Sequence, residues 1–323
     1  MTHYLKEINK SKELLMPKIP CKYTEEEFKR LWDECGKTGA EFCRRNGGKP
    51  QNISRYLQKF KISNRVNTGQ TKKSKKYERW VILPDCHEEP EVSNPISEVA
   101  YNAIKGIRPH GIILGGDFLN MDCVNPHLTN RFKDVEGKRL KEAYALADSI
   151  ILRLKEYTKS VVYIEGNHED WVNQYIAKNP NVEGFLELKN NIKNADIIIG
   201  DYTDHSKNFF RLGTHLDVTH GNLIGENACD KYLRIRSKRS LIFCNSHRIA
   251  NKMRNMEDDM PVAVWNIGCL CPINPRYNRG DLANWQNGFM VVDVFNDGTF
   301  QAYQVVIVKN KCSFEGKVYF GDT

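Results

Sequence analysis

Apolar residues follow two textures along the chain. In the first part they recur at helical spacing: Phe28, Leu31 and Trp32 form one set, and Ile53, Tyr56, Leu57 and Phe60 another. Thr24 and Glu27 form a capping box that starts a helix, and Gly36 stops it. Thr38 and Glu41 open a second, short helix carrying Phe42 and Cys43, which ends at Asn46-Gly47-Gly48. Pro50 suits the first turn of a third. Residues 1–20 show no firm period and form an arm. Residues 63–76, rich in Asn, Thr, Gly, Lys and Ser, read as a linker.

From Tyr77 the texture changes to short β-branched runs alternating with amphipathic stretches. Strands are expected at 80–83, 111–115, 161–164 and 195–199, with helices near 94–105, 137–156, 169–178 and 183–189 between them. This is the rhythm of a layered α/β domain. Short strands then dominate, at 209–212, 216–219, 241–244, 262–267, 289–295 and 300–308, with one helix near 225–236. Asn296-Asp297-Gly298 joins the last two as a hairpin. The expected organisation is a small all-α domain over 1–62, a basic linker over 63–76 and an α/β domain over 77–323.

Charge sharpens this division. Residues 1–79 hold 20 Lys+Arg against 9 Asp+Glu, and the remainder holds 28 against 31. The whole positive excess sits in the first quarter, where it fits either a polyanionic partner or a solubilising tail. No run of eighteen apolar residues exists and the lysine-rich start lacks an apolar core, so neither a membrane span nor a secretory leader is expected. The ten cysteines lack paired zinc-finger spacing, and only Cys269 and Cys271 stand close together. Reduced, mostly buried thiols are expected, in a cytoplasmic setting.

The chemistry lies where strands end. Trp80–Pro84 runs into Asp85-Cys86-His87, Gly111–Gly116 into Asp117, and Val161–Glu165 into Gly166-Asn167-His168-Glu169. Two later strands end at His220-Gly221 and at Cys244-Asn245-Ser246-His247. In α/β sheets ligands collect beyond the carboxyl ends of the strands. Carboxylate, amide and imidazole donors together suit Mn, Fe or Zn better than Ca. Asp117 is the natural bridge between two cations.

These motifs resemble those of the calcineurin-like metallophosphoesterases, whose pattern is Asp-x-His, Gly-Asp, Gly-Asn-His-Glu, His-Gly and Gly-His-x-His. The likeness covers about residues 80–308 and includes Asn266-Ile267-Gly268, similar to a late Asn-Pro-Gly turn. It implies a β-sandwich flanked by helices with two divalent ions, manganese first and iron or zinc as alternatives. One ion would be held by Asp85, His87, Asp117 and His247, the other by Asp117, Asn167, His220 and position 245. His168 would serve catalysis, as proton donor to the leaving oxygen or by stabilising phosphoryl charge. Position 245 departs from the pattern, with Asn in place of His. Three consequences stay open: a weakened second site, a feeble one-metal site, or replacement by another residue such as His215. Asn120 and His127, in the loop after Asp117, are candidate substrate contacts.

The stretch Gly39–Leu57 resembles bacterial helix-turn-helix DNA-binding modules, and a protein-docking helical domain is its alternative. The resemblance assigns base contacts to Gln51, Asn52 and Arg55, and phosphate contacts to Arg44 and Arg45. The whole then reads as a metal-dependent phosphodiesterase, a DNA nuclease akin to the family's DNA-repair exonucleases, in a bacterial or phage-infected cell. DNA is the expected partner. The alternatives are a phosphatase or phosphodiesterase on phosphoprotein or a small nucleotide, and a DNA-binding regulator on a weakened phosphoesterase scaffold.

Overall fold

The computed structural model describes residues 23–35, 39–46, 53, 56, 57, 60, 77–236, 239–255, 261–273 and 284–321. The chain divides into two compact units, Met1–Lys75 and Lys76–Thr323.

In the first unit, helix α1 (Glu25–Glu34) begins at Thr24, whose side chain accepts from the Glu27 N–H while Glu27 accepts from the Thr24 N–H. Helix α2 (Gly39–Asn46) follows. Phe28, Trp32, Phe42, Ile53 and Leu57 are buried together, with Tyr56 and Phe60 packed against them. The Phe28 ring lies 5.1 Å from Phe42 and 5.2 Å from Tyr56, so the core is largely aromatic. The apolar face expected from Ile53 to Phe60 is therefore inside. The tight Gly47-Gly48 turn, the start of the third helix and the linker lie outside the described residues.

The second unit is mixed α/β. Its first sheet runs β11-β10-β1-β2-β3-β4, made of β1 (Tyr77–Leu83), β2 (Gly111–Leu114), β3 (Ser160–Ile164), β4 (Ile197–Ile199), β10 (Gly288–Phe295) and β11 (Phe300–Val306). Strands β1 to β4 are parallel, and β10 and β11 add antiparallel at one edge. The second sheet runs β5-β6-β7-β9-β8, from β5 (Phe210–Leu212), β6 (Leu216–Thr219), β7 (Ser240–Phe243), β8 (Ile249–Arg254) and β9 (Val262–Ile267). Within it β6, β7 and β9 are parallel.

Alternation along the strands assigns each sheet face a partner. Ile82, Ile113, Val162, Ile164 and Met290 of the first sheet meet Leu216, Val218, Ile242 and Ile267 of the second. Val81, Ile112, Leu114 and Tyr163 face the other way, onto helices α3 (Pro95–Ile107) and α4 (Leu140–Lys155). Leu241, Phe243 and Val264 on the outer face of the second sheet are covered by helix α6 (Ala228–Ile235); helix α5 (Asn167–Lys178) follows β3. Parallel strands in each sheet deliver their carboxyl ends to one side, which brings the polar turns together.

Several elements differ from expectation. The helix expected at 183–189 is a 3-10 turn, Pro180–Val182, followed by a single helical turn at Leu188–Asn191. Strand β8 and the hairpin of β12 (Lys311–Phe314) and β13 (Lys317–Phe320) were not foreseen. Strand β8, Ile-Ala-Asn-Lys-Met-Arg, is an edge strand and carries no apolar alternation. The Glu315-Gly316 turn of the hairpin has positive φ at both residues, 48° and 75°, the twist a two-residue hairpin needs. Among the described residues nine cysteines are free thiols, seven of them buried, and no helix is long and apolar enough to cross a membrane.

Ile113 is fully buried between the sheets. Ile113→Ala should cost about 2–5 kcal/mol and Ile113→Val about 0.5–1.5 kcal/mol in denaturant unfolding. Equal losses for the two would mean that the sheets do not close tightly on that side chain.

Candidate metal centre

Five strand ends build the site. Asp85 and His87 follow β1, Asp117 follows β2, Asn167 and His168 open α5, His220 follows β6, and Asn245 and His247 follow β7. The sequence placed the start of α5 at Glu169. It starts two residues earlier, so Asn167 and His168 lie in its first turn and inherit its rigidity.

The backbone there is strained. Asp85 (φ 42°), His87 (49°), Asp117 (46°), Asn245 (70°) and His247 (58°) all occupy the left-handed region. Such positions cost on the order of 1–3 kcal/mol each and persist only when the surroundings hold them. His87 N–H donates to Asp117 O at 2.9 Å, and Glu88 N–H to Phe118 O at 2.8 Å, tying the first two turns together. The buried carboxylate of Glu169 then accepts from the N–H groups of Asp117 (2.9 Å), Phe118 (3.0 Å), Leu119 (3.2 Å) and Gly166 (2.9 Å) and from Tyr163 OH (2.8 Å).

Asp117 stands at the centre, 2 % exposed. Its Oδ1 lies 3.4 Å from His220 Nε2 and accepts the His168 N–H at 2.8 Å. Its Oδ2 lies 3.9 Å from His87 Nε2 and 3.8 Å from His168 Nε2. On one side His220 Nε2 is also 3.1 Å from Asn167 Oδ1. On the other, His247 Nε2 is 3.3 Å from His87 Nε2 and 3.2 Å from Asp85 Oδ1. Donors sharing one ion through bonds of about 2.1 Å stand about 3.0–3.4 Å apart, so both groups fit a small divalent cation. His87–Asp117–His168, Asp85–Asp117–His220 and His87–His247–Cys271 each offer donor atoms within 4.8 Å of one another.

Tautomers follow from the partners. A carbonyl only accepts, so His220 donates Nδ1–H to Gly115 O (2.9 Å) and His168 donates Nδ1–H to Asn120 O (2.8 Å). Each leaves Nε2 facing the site, the usual arrangement of a ligating imidazole. Burial alone would raise the Asp117 pKa, but His168 and His220 hold it well below the usual carboxylate range. Burial works against the His220 imidazolium, yet Asp117 beside it lifts its pKa to about 9. Burial and the charge of His168 push His87 down.

A search against protein-family profiles found no match, and a search of curated proteins found none. Among solved structures 26 chains match. One, described as GAP50, the anchor in the inner membrane complex of Plasmodium, aligns over 76% of this chain and 90% of its own at 14% identity, with a TM-score of 0.33. That likeness is too weak to bear on either fold or function.

The remaining candidates separate. Asn245 donates its backbone N–H to both oxygens of Asp85 (3.1 and 3.0 Å) and its side-chain nitrogen to Gly221 O (2.8 Å), which leaves only the amide oxygen for an ion. His215 does not fill the gap, because it precedes β6 at the opposite end of that strand from His220. The side-chain nitrogen of Asn120 donates to Glu89 (3.2 Å) and Asp122 (3.1 Å), and its backbone carbonyl orients His168. His127 is exposed, 6.0 Å from Trp171, and Trp171 itself stacks on His168 at 3.9 Å. In the first unit Arg44 and Arg45 both bind Glu41, at 2.6 and 2.5 Å, so part of their charge is neutralised within α2. Gln51, Asn52 and Arg55 lie outside the described residues. Sequence reasoning missed the Glu169 clamp, Trp171, Tyr202 near His220 and Cys271 near His247.

Gly166 has no room for a side chain. A Cβ there would stand 2.3 Å from Asp117 Oδ1 and 2.9 Å from His220 Nε2. Gly166→Ala should therefore abolish tight metal uptake in a calorimetric titration, and wild-type affinity in that variant would refute the placement of Asp117. A second test concerns protons. With its pKa raised from 6.5 to about 9, metal-free His220 keeps a proton at neutral pH that a cation must displace. Metal affinity should rise with pH up to about 9, with proton release visible as a dependence of binding heat on the buffer. Heats independent of the buffer would contradict a protonated His220.

Proposed function

We propose that Lys76–Thr323 is a divalent-metal-dependent phosphodiesterase of the calcineurin-like metallophosphoesterase type. Its two facing sheets with helices outside, and the donors at the strand ends, support that assignment. The observation that carries it is Asp117, whose two oxygens face different donor groups. Asp85, His87, Asp117 and His247 would hold one ion. Asp117, Asn167 and His220 would hold the other, with the Asn245 oxygen as a weaker fourth donor.

Two bound cations supply Lewis acidity at the phosphoryl oxygens and acidify a water toward neutral pKa. His168 supplies the proton for the departing oxygen. Because Nδ1–H is committed to Asn120 O, Nε2 carries a proton only in the imidazolium form. Trp171 fixes the ring plane by stacking. Asp117 Oδ2 lies 3.8 Å from Nε2.

The substrate class follows from the basic first quarter of the chain. A helix-turn-helix reader over residues 1–62 would aim the nuclease at DNA, in line with the net positive charge there. One feature favours the small-nucleotide alternative. A cavity of about 480 Å³ borders Asn120 and is lined by six carboxylates, Glu89 and Asp122 among them, against Lys138 and Arg139. Such a lining repels a second phosphate and suits a base that donates hydrogen bonds.

With Mn2+, the chain should hydrolyse a chromogenic phosphodiester, and His168→Ala should slow it about 10²–10⁴-fold while metal still binds. No turnover with any divalent metal sinks the enzymatic reading. Labelled single- and double-stranded DNA should be cleaved, less so after deletion of residues 1–76. Cleavage of small nucleotide diesters but not DNA would transfer the assignment to the alternative.

A further inference from the structure

Four buried cysteines, Cys86, Cys244, Cys269 and Cys271, lie around the Asp85 side of the centre. Among the described residues Cys271 alone joins a group of metal donors, with His87 and His247. Its placement is built into the fold. Leu270 N–H donates to Pro84 O at 3.0 Å and to Asp85 O at 3.1 Å, and Leu270 O accepts from Asn94 Nδ2 at 3.1 Å and Ser97 Oγ at 3.2 Å. Asn287 Nδ2 donates to Cys271 O at 2.7 Å. The loop after β9 is thus pinned to the turn carrying Asp85, and the Cys271 thiol is 4 % exposed. Its Sγ lies 3.9 Å from His247 Nδ1, and donor atoms of His87, His247 and Cys271 stand within 4.8 Å of one another.

We propose that Cys271 is a direct ligand of the first ion, beside His87, His247 and Asp85. This half of the centre is then a mixed nitrogen, oxygen and sulfur site that selects zinc or iron over manganese. The inference rests on the metal centre proposed above and specifies its chemistry. Thiolate is a soft donor and manganese prefers oxygen, so one sulfur shifts the preference among divalent metals. A metal–sulfur bond of about 2.3 Å is longer than one to imidazole, which suits a donor group whose atoms spread over as much as 4.8 Å. On binding, the thiol proton leaves to solvent and the sulfur lone pair forms the bond, with no electron transferred. Cys269 joins none of the metal-donor groups among the described residues.

The test is a titration of metal-free full-length protein with Co2+ under reducing conditions, followed by absorption. Visible d–d bands report an ion held by protein ligands, and a sulfur-to-cobalt charge-transfer band in the near ultraviolet reports a thiolate ligand. Both bands are expected in the wild type and in Cys269→Ser. Cys271→Ser should keep the d–d bands, lose the charge-transfer band and bind Zn2+ about tenfold or more weakly, since even outer partners of a metal ligand contribute about 10–100-fold. Wild-type d–d bands without charge transfer overturn the proposal and leave the metal centre standing. Charge transfer that persists in Cys271→Ser assigns the sulfur elsewhere and also overturns it. No cobalt binding at all overturns both. Should Cys271→Ser fail to fold, the wild-type and Cys269→Ser spectra decide.

Discussion

A single buried carboxylate sets the geometry on which everything else rests. Glu169 takes four backbone N–H groups from the turns after β2 and β3, and the hydroxyl of Tyr163 within β3. A charge this deep would be untenable without partners, and with five it fixes the separation of the turns it joins. Those turns carry Asp117 on one side and Asn167 with His168 on the other. The position of Asp117 relative to Asn167 and His168 is therefore decided by a residue that has no need to touch substrate.

The same logic explains where strain is tolerated. Five of the candidate site residues sit at positive φ, and each is Asp, Asn or His, the types that enter that region at least cost. The strands before them are laddered and buried where they meet these turns, so the framework holds turns that would relax if isolated. Glycines stand where even a methyl group would displace a donor. A Cβ on Gly116 would lie 2.5 Å from His220 Nδ1, and one on Gly115 would lie 2.6 Å from the Cys244 sulfur. Strain and glycine thus gather at the same turns, the expected signature of a site whose precision is held by the surrounding core.

Much of this was legible in the residues alone, for definite reasons. A β-branched or apolar run that ends in Asp, Asn or His, with a glycine between at Asp117 and at Asn167-His168, announces both a strand and its loaded end, so Asp85, Asp117, His168, His220 and His247 could be named in advance. Their meeting depends on parallel pairing and two facing sheets, which the rhythm of elements implied only in outline. Glu169 read only as the last member of the polar motif after β3, because a clamp is visible only once its five donors are assembled. Cys271 read as a core thiol for the same reason. Strand β8 and the β12–β13 hairpin were missed because edge strands of mixed polarity, Ile249–Arg254 among them, lack a period that marks a buried face.

At position 245 the backbone braces the site independently of the side chain. The structural work there is done by the main chain: the Asn245 N–H bridges both oxygens of Asp85, at 3.1 and 3.0 Å, whatever side chain the residue carries. The positive φ of 70° suits asparagine better than most residues, and its amide nitrogen anchors on Gly221 O beside His220. The side chain at this point therefore has little bearing on how Asp85 is aimed. Asn167 and His220 sit on separate turns with their own hydrogen bonds, so a change at position 245 is confined to that turn.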